Sequence, residues 1–264
     1  MKPSETQTAV LTRPDGRNNG LAKRLLTAGW QVHAWPALRI EPLPAGPAGI
    51  PLPRDFDMVV FVSGNAAAQY LDQLRTLGAG EWPASCIAAA VGPATAARLR
   101  ESGSLGRQCT IVHPAADAPR HDSEALWELL AARGPIPARV LLVRGTDGRD
   151  WLAERLRAHG AQVHLHAVYR RVPARWDGAA LAQVRDWAAA GQFPTWLLTS
   201  GESIDAARQN VAVAAVDSWW EGCCFIVTHP RLVERLGLAD RSVQRAVRVC
   251  APADDAIFNA FVSG

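Results

Sequence analysis

The sequence predicts an α/β protein with two parallel-sheet domains made by internal duplication, and three observations predict it. Residues 9–42 and 140–173 align without a gap, matching at Leu11/Leu142, Arg13/Arg144, Leu21/Leu152, Leu25/Leu156, Gly29/Gly160, Val32/Val163, His33/His164, Arg39/Arg170 and Pro42/Pro173. After Pro42 the match resumes at a slightly larger spacing, with Ser63-Gly64 on Ser200-Gly201, Trp82 on Trp219, Cys86 on Cys223, Pro93 on Pro230 and Arg98-Leu99 on Arg235-Leu236. A spacing of about half the chain means two copies of one module. Finally, short apolar runs alternate with segments of helical periodicity, as in a parallel sheet covered on both faces.

Taken in order, residues 9–12 read as a strand entering a turn at 14–16, and 18–28 carry Leu21, Leu25 and Leu26 at helical spacing before Gly29 stops the helix. Residues 31–35 are a second strand. Residues 37–53, rich in proline and holding Gly46 and Gly49, read as a linker. There follow strand 57–62, turn Ser63-Gly64-Asn65, helix 66–77, strand 86–91, helix 93–101, strand 109–112 and helix 122–132, which Asp122 or Ser123 can cap. The second copy gives strand 140–143, helix 149–159, strand 162–168, helix 179–190, strand 195–198, turn Thr199-Ser200-Gly201 and helix 202–210. Strand 224–227, helix 230–236, strand 246–250 and helix 254–261 complete it. Periodicity leaves two arrangements open: each copy is its own domain, or the chain crosses after each βαβ so that the first joins the C-terminal strands.

A chain of 264 residues with 48% hydrophobic content is long enough for two ordinary domains. Its net charge of +3 gives no reason to expect nucleic acid, whose binders carry a clustered basic face. Lysine occurs only at Lys2 and Lys23, so nearly every cation is a guanidinium, suited to paired hydrogen bonds with carboxylate or phosphate; an Arg- and Ala-rich genome accounts for the same bias. The cysteines Cys86, Cys109, Cys223, Cys224 and Cys250 are odd in number, have no CxxC spacing and lie in or beside strand-like runs, as reduced, buried thiols do. The start MKPSETQTAV lacks the regions of a signal peptide, and no apolar run reaches membrane-spanning length. A cytoplasmic protein is expected.

In an open parallel sheet ligands bind beyond the carboxyl ends of the strands, where helix N-termini point outward. The residues there are Arg13, Ser63-Gly64-Asn65, Gly92-Pro93-Ala94-Thr95, Arg144, Gly145 to Arg149, Thr199-Ser200-Gly201 and His229-Pro230. Small, hydroxylated or glycine residues with exposed amides, together with arginine, suit anions. Each alone has a plainer explanation: Ser-Gly before a helix is an ordinary cap, and Arg13 with Arg144 can reflect ancestry. His164-Leu165-His166 has no carboxylate or Cys nearby in sequence, so no metal is expected. GxGxxG after the first strand, GxxxxGK[ST], HExxH and GxSxG are all missing. An enzyme built this way works by holding a polyanionic substrate in a committing shape, with proton transfer from a modest group such as Tyr169.

Several runs carry a resemblance: Val140-Leu-Leu-Val-Arg-Gly145 with Gly148-Arg149, Leu152 and Gly160-Ala161; Ala167-Val-Tyr-Arg170; Val62-Ser-Gly-Asn-Ala66; Val91-Gly-Pro-Ala-Thr-Ala96; Asp122-Ser-Glu-Ala-Leu126; and Leu198-Thr-Ser200. In this order they cover nearly the whole chain, which resembles the uroporphyrinogen-III synthase family. The resemblance implies two flavodoxin-like domains joined by a two-stranded linker: residues 1–38 with 174–264, residues 43–168, and linker strands 37–42 and 169–173. It implies a cofactor-independent lyase, with no metal, that cyclises hydroxymethylbilane to uroporphyrinogen III. Water is lost and ring D inverted through an azafulvene and a spiro intermediate. The eight carboxylates of that substrate are the polyanion for which the strand ends are suited. A monomer is expected, with transient contact to the preceding pathway enzyme and no nucleic-acid or membrane partner.

Carried over by position, Tyr169 matches the family tyrosine proposed to assist departure of the hydroxyl. Thr95 matches a first-half threonine, and Ser63 and Ser200 match strand-end serines. Substrate contacts are expected from Arg13, Ser63, Gly64, Asn65, Thr95, Arg144, Gly145, Arg149, Thr199, Ser200, Gly201 and Arg231. The chain departs from the pattern at His229-Pro230-Arg231-Leu232, where many members have Gly-Pro-Thr-Thr, so Arg231 stands in for a threonine contact; Val62 also replaces a common threonine. A non-catalytic two-lobed module for a polyanionic small molecule is the alternative. A Rossmann-type transferase is disfavoured by the missing Gly-rich turn.

Overall fold

The computed structural model describes residues 7–14, 16–46, 49–106, 108–238 and 247–263. Residue 246 of the expected last strand, the opening residues 1–6 and position 15 of the first turn lie outside the described residues.

The chain begins β1 (Thr8–Leu11), α1 (Asn19–Thr27), β2 (Gln31–Ala34) and β3 (Leu38–Pro42). A short 3-10 turn at Pro53–Asp55 leads into β4 (Met58–Phe61), α2 (Gly64–Thr76), β5 (Ile87–Ala90), α3 (Pro93–Glu101), β6 (Ile111–Val112) and α4 (Ser123–Ala132). The second copy runs β7 (Arg139–Gly145), α5 (Trp151–Ala158), β8 (Gln162–Pro173), α6 (Gly178–Ala190), β9 (Thr195–Leu198) and α7 (Gly201–Val213). It ends with α8 (Asp217–Trp220), β10 (Cys224–Val227), α9 (Arg231–Arg235), β11 (Val247–Val249) and α10 (Asp254–Val262).

Among the described residues the strands form a five-stranded sheet, ordered β11-β10-β9-β1-β2, and a six-stranded sheet, ordered β3-β8-β7-β4-β5-β6. In the first, β1 lies parallel between β2 and β9, so the N-terminal βαβ shares a sheet with the C-terminal strands. In the second, β7 pairs in parallel with both β4 and β8. The chain accordingly divides into two compact units, residues 1–39 with 172–264 and residues 40–171; the divisions fall inside β3 and β8. Leu43 N–H donates to Val168 O and Ala174 N–H to Ala37 O, so β3 runs antiparallel to β8.

Strict alternation along each inner strand feeds two cores per sheet, as a sheet with helices on both faces requires. In the first unit Val10, Trp196, Leu198, Phe225 and Val227 face one side, and Ala9, Leu11, Leu197 and Ile226 the other. In the second, Val59, Phe61, Ala88, Ala90, Leu141 and Val143 oppose Met58, Val60, Ala89, Val140 and Leu142. Fully buried Trp196 anchors the first core, stacked on Trp176 with ring centroids 5.6 Å apart and tilted against Trp220 at 5.1 Å.

The structure corrects several boundaries, each for a local reason. Ser63 and Ser200 are N-caps, as Ser-Gly before a helix allows: Ser63 Oγ accepts from Ala66 N–H at 3.0 Å, and Ser200 with Ser203 closes a capping box, so α2 and α7 start at the glycines rather than at 66 and 202. Of the two candidate caps of α4 it is Asp122 that accepts from Ala125 N–H, at 2.8 Å. Residues 162–173 form one continuous strand, because β3 supplies the ladder partner beyond Val168. Helix α8 was not foreseen; four residues are too few to show a period.

Candidate active site at the strand ends

In residues 40–171 the carboxyl ends of β4, β5, β7 and β8 carry the expected small and hydroxylated residues. The ladder between β7 and β8 slips after Arg144, which pairs with Ala167, so that Gly145 pairs with Tyr169. This irregularity seats the Tyr169 ring directly over Gly145. A Cβ on Gly145 would stand 2.9 Å from both Cε2 and Cζ of the ring, which is why glycine is required. Tyr169 is 4% exposed. Its hydroxyl lies 3.1 Å from Ser63 Oγ, the same atom that accepts Ala66 N–H at the start of α2. Ala66 N–H, Ser63 hydroxyl and Tyr169 hydroxyl thus form a chain in which each group can donate to the next, ending on a phenol beside a helix N-terminus.

Thr95 sits in the first turn of α3, buried, and its hydroxyl has no hydrogen-bond partner among the described residues. Gly92, just before α3, has the His121 side chain against it: a Cβ there would lie 2.9 Å from His121 Cβ. The His121 ring is held by Ala115 O at 2.9 Å. Gly64 and Asn65 form the first helical residues of α2.

Three of the four arginines expected as direct contacts, Arg13, Arg144 and Arg149, already have carboxylate partners within the protein. Arg144 is buried, and its guanidinium binds Gly145 O, Gly148 O and the Asp150 carboxylate, clamping the loop from β7 to α5. Arg149 lies in that loop, outside α5, and is held by both oxygens of Glu124 at 2.5 and 3.0 Å; the same contact keeps the Glu124 carboxyl below its ordinary range. For Arg144→Met we expect a stability loss of about 1–2 kcal/mol, because three acceptors lose a charged donor; chemical denaturation checks it, and an unchanged midpoint would contradict the clamp.

In residues 1–39 with 172–264, Arg13 follows the same logic as its repeat mate. It is buried, donating to Asn18 Oδ1 at 3.1 Å and pairing with Asp254 at 2.6 Å, while its Nη2 is buried without a hydrogen-bond partner among the described residues. Neighbouring Thr12 donates to Leu197 O at 2.6 Å. Thr199, Ser200 and Gly201 join β9 to α7 and present the cap described above. Arg231 opens α9, exposed and without an ion-pair partner among the described residues. Sequence reasoning missed Asn18, Asp150 and Asp254 as the partners that turn Arg13 and Arg144 inward. Asn18 and Asp150 lie close enough in sequence to have been tested; Asp254, 241 residues from Arg13, gives no local signal.

The remaining polar clusters are structural. His166 bonds Gln73 Oε1 at 2.8 Å, and burial with neighbouring His164 pushes its pKa down. A cavity of about 720 Å³ lies at the opposite, amino end of β1 and β2, lined in part by Gln31, Trp187 and Phe193. Among the described residues no cluster of His, Cys, Asp or Glu is arranged to hold a metal, and no helix is long and apolar enough to cross a membrane.

A family model described as uroporphyrinogen-III synthase HemD matches residues 19–246. The chain belongs to the uroporphyrinogen-III synthase family. Its activity is that family's, and it is an enzyme of the lyase class. It is 28% identical over 226 residues to the uroporphyrinogen-III synthase of Salmonella typhimurium strain LT2, covering 84% of this chain and 87% of that one. Identity to the uroporphyrinogen-III synthase of Escherichia coli K12 is 27% over 229 residues, covering 85% and 88%. In fold it is similar to the uroporphyrinogen-III synthetase of Helicobacter pylori 26695, with a TM-score of 0.58 at 15% identity and coverage of 98% and 99%. A mutant uroporphyrinogen III synthase of Thermus thermophilus gives 0.52 at 15% identity, with 97% of each chain covered. These solved relatives carry the α/β architecture described above.

Proposed function

We propose that this chain cyclises hydroxymethylbilane to uroporphyrinogen III, with Tyr169 as the group that assists loss of the hydroxyl. The observation that carries the assignment of Tyr169 is its 3.1 Å contact with Ser63 Oγ. Because Ser63 Oγ already accepts Ala66 N–H, its own hydrogen is free to point at the phenol oxygen, which leaves the phenol hydrogen for the substrate. A donor chain of this kind polarises its last member, and the N-terminus of α2 favours the negative charge that builds on the phenol oxygen.

The C–O bond of the hydroxymethyl group breaks as the phenol proton passes to the departing oxygen, giving water, a phenolate and a protonated azafulvene. Attack by the substituted carbon of ring D forms the spiro intermediate. Fragmentation and closure through the free carbon of ring D then release one proton, which returns to the phenolate. Protons balance and no other reactant is consumed, so the residues present can serve the reaction without a cofactor.

Within this reading Ser63, Gly64, Asn65, Thr95 and Gly145 surround the reacting end in residues 40–171, and Thr199, Ser200, Gly201 and Arg231 are contacts for substrate carboxylates. Arg13 and Arg144 act by shaping their loops, and Arg149 through its pair with Glu124. The two compact units are read as the family's domains, 1–38 with 174–264 and 43–168, with linker strands 37–42 and 169–173. The protein acts as a cytoplasmic monomer, in transient contact with the enzyme that supplies its short-lived substrate.

Hydroxymethylbilane is expected to disappear at a rate proportional to added protein, well above spontaneous closure. Consumption no faster than the spontaneous rate, from a folded preparation that binds the substrate, would overturn the catalytic reading and favour a binding module.

A further inference from the structure

Gly64 and Gly201 occupy the same position in the two copies, and each has an arginine of a later helix, Arg98 of α3 or Arg235 of α9, stretched across it. A Cβ on Gly64 would lie 3.8 Å from Arg98 Cδ, and one on Gly201 3.1 Å from Arg235 Cδ. Arg98 and Arg235 are themselves repeat mates. The copies differ in what the guanidinium meets. Arg235 is bound by both carboxylate oxygens of Asp205, with Nη2 2.5 Å from Oδ2. The repeat mate of Asp205 is Ala68, and Arg98 is exposed with no ion-pair partner among the described residues.

The surroundings of Arg98 offer no substitute for the missing acid. Ala68 and Arg98 line one groove of about 400 Å³ together with Asp72, Arg75 and Glu101. The Asp72 carboxylate is engaged by Arg75 at 2.5 Å, and Glu101 lies a turn further along α3, away from Gly64. A cation held against the positive end of a thirteen-residue helix is electrostatically unfavourable. Asp205 cancels that repulsion in one copy, and in the other no carboxylate among the described residues forms an ion pair with Arg98. Three positions before Arg98 on the same face of α3 stands buried Thr95, whose hydroxyl lacks a partner among the described residues, and Gly64, against which the Arg98 side chain lies, is next in sequence to the Ser63 that touches Tyr169.

We propose that Arg98 is a substrate-binding residue that holds one carboxylate of the polycarboxylate substrate beside Ser63 and Tyr169, whereas its duplicate Arg235 serves a structural ion pair. The assignment rests on the proposed function. Guanidinium and carboxylate make a paired, charge-assisted contact, and the amides at the start of α2 add to it.

The test measures kcat and KM for isomer III formation, and the Kd of uroporphyrin III, the oxidised octacarboxylate product, by fluorescence quenching. Wild type is compared with Arg98→Ala, Ala68→Asp and Ala68→Asn. Arg98→Ala should raise KM and Kd by about tenfold with kcat within about twofold. Ala68→Asp, which recreates the Asp205 pairing, should do the same, while Ala68→Asn should match wild type. Thermal midpoints verify that the variants fold. Unchanged KM and Kd in Arg98→Ala and Ala68→Asp would overturn the proposal. If wild type forms no isomer III, the functional reading fails on its own, and the uroporphyrin Kd still decides: weaker binding in both variants supports a carboxylate site at Arg98, and equal binding sinks it.

Discussion

Tyr169→Phe is expected to lower turnover of hydroxymethylbilane by roughly 10- to 100-fold, with KM and thermal midpoint little changed. The substitution removes one oxygen and keeps a ring that is 4% exposed and packed with Val143 and Val168 in the same core. What it breaks is the end of the donor chain: Ala66 N–H still caps on Ser63 Oγ, but the serine hydroxyl no longer has the phenol 3.1 Å away to polarise. A fall in kcat with KM preserved identifies an interaction made as the hydroxyl leaves. Steady-state kinetics on the folded variant check this, and full activity would remove Tyr169 from the reaction.

Gly145→Ala is expected to be at least as damaging, although it adds only one carbon. That carbon would stand 2.9 Å from two atoms of the Tyr169 ring, closer than a Cβ approaches its neighbours in folded proteins, and 3.3 Å from the hydroxyl oxygen, a tight contact. The ring is enclosed, so either it turns out of reach of Ser63 or β7 and β8 separate at their irregular step. Overpacking costs about 1–3 kcal/mol of stability, and a displacement near 1 Å at a reacting group can reduce turnover by about 100-fold. Kinetics and a melting curve on one preparation separate the two. Wild-type kinetics would show that the position of the phenol is not what limits turnover.

The fold was legible because its determinants are local and repeated. Short continuous apolar runs in 58–61, 140–143 and 195–198 gave the inner strands, Gly29, in the left-handed region at φ 87°, marked the end of α1, and the duplication itself gave two modules. The site was legible only in part. Ser63 and Ser200 could be placed at strand ends from Ser-Gly before a helix, but the Ser63–Tyr169 contact joins residues 106 apart and depends on a one-residue slip in the ladder that no pattern announces. Arg13 and Arg144 read as ligands because both follow the repeated first strand, at the end where ligands bind, whereas the structure turns both inward onto Asp254 and Asp150, of which only Asp150 is near in sequence. Arg98 was visible as a repeat match and carried no meaning until the Asp205 pairing showed what its own copy lacks.

The central claim is that this chain inverts ring D, and the product isomers test it most directly. Hydroxymethylbilane is incubated with increasing protein, the products are oxidised, and uroporphyrins I and III are separated by chromatography. Spontaneous closure gives isomer I, so a dominant isomer III peak that grows with protein concentration is the predicted result. Isomer I alone, from folded protein at every concentration, would contradict the account.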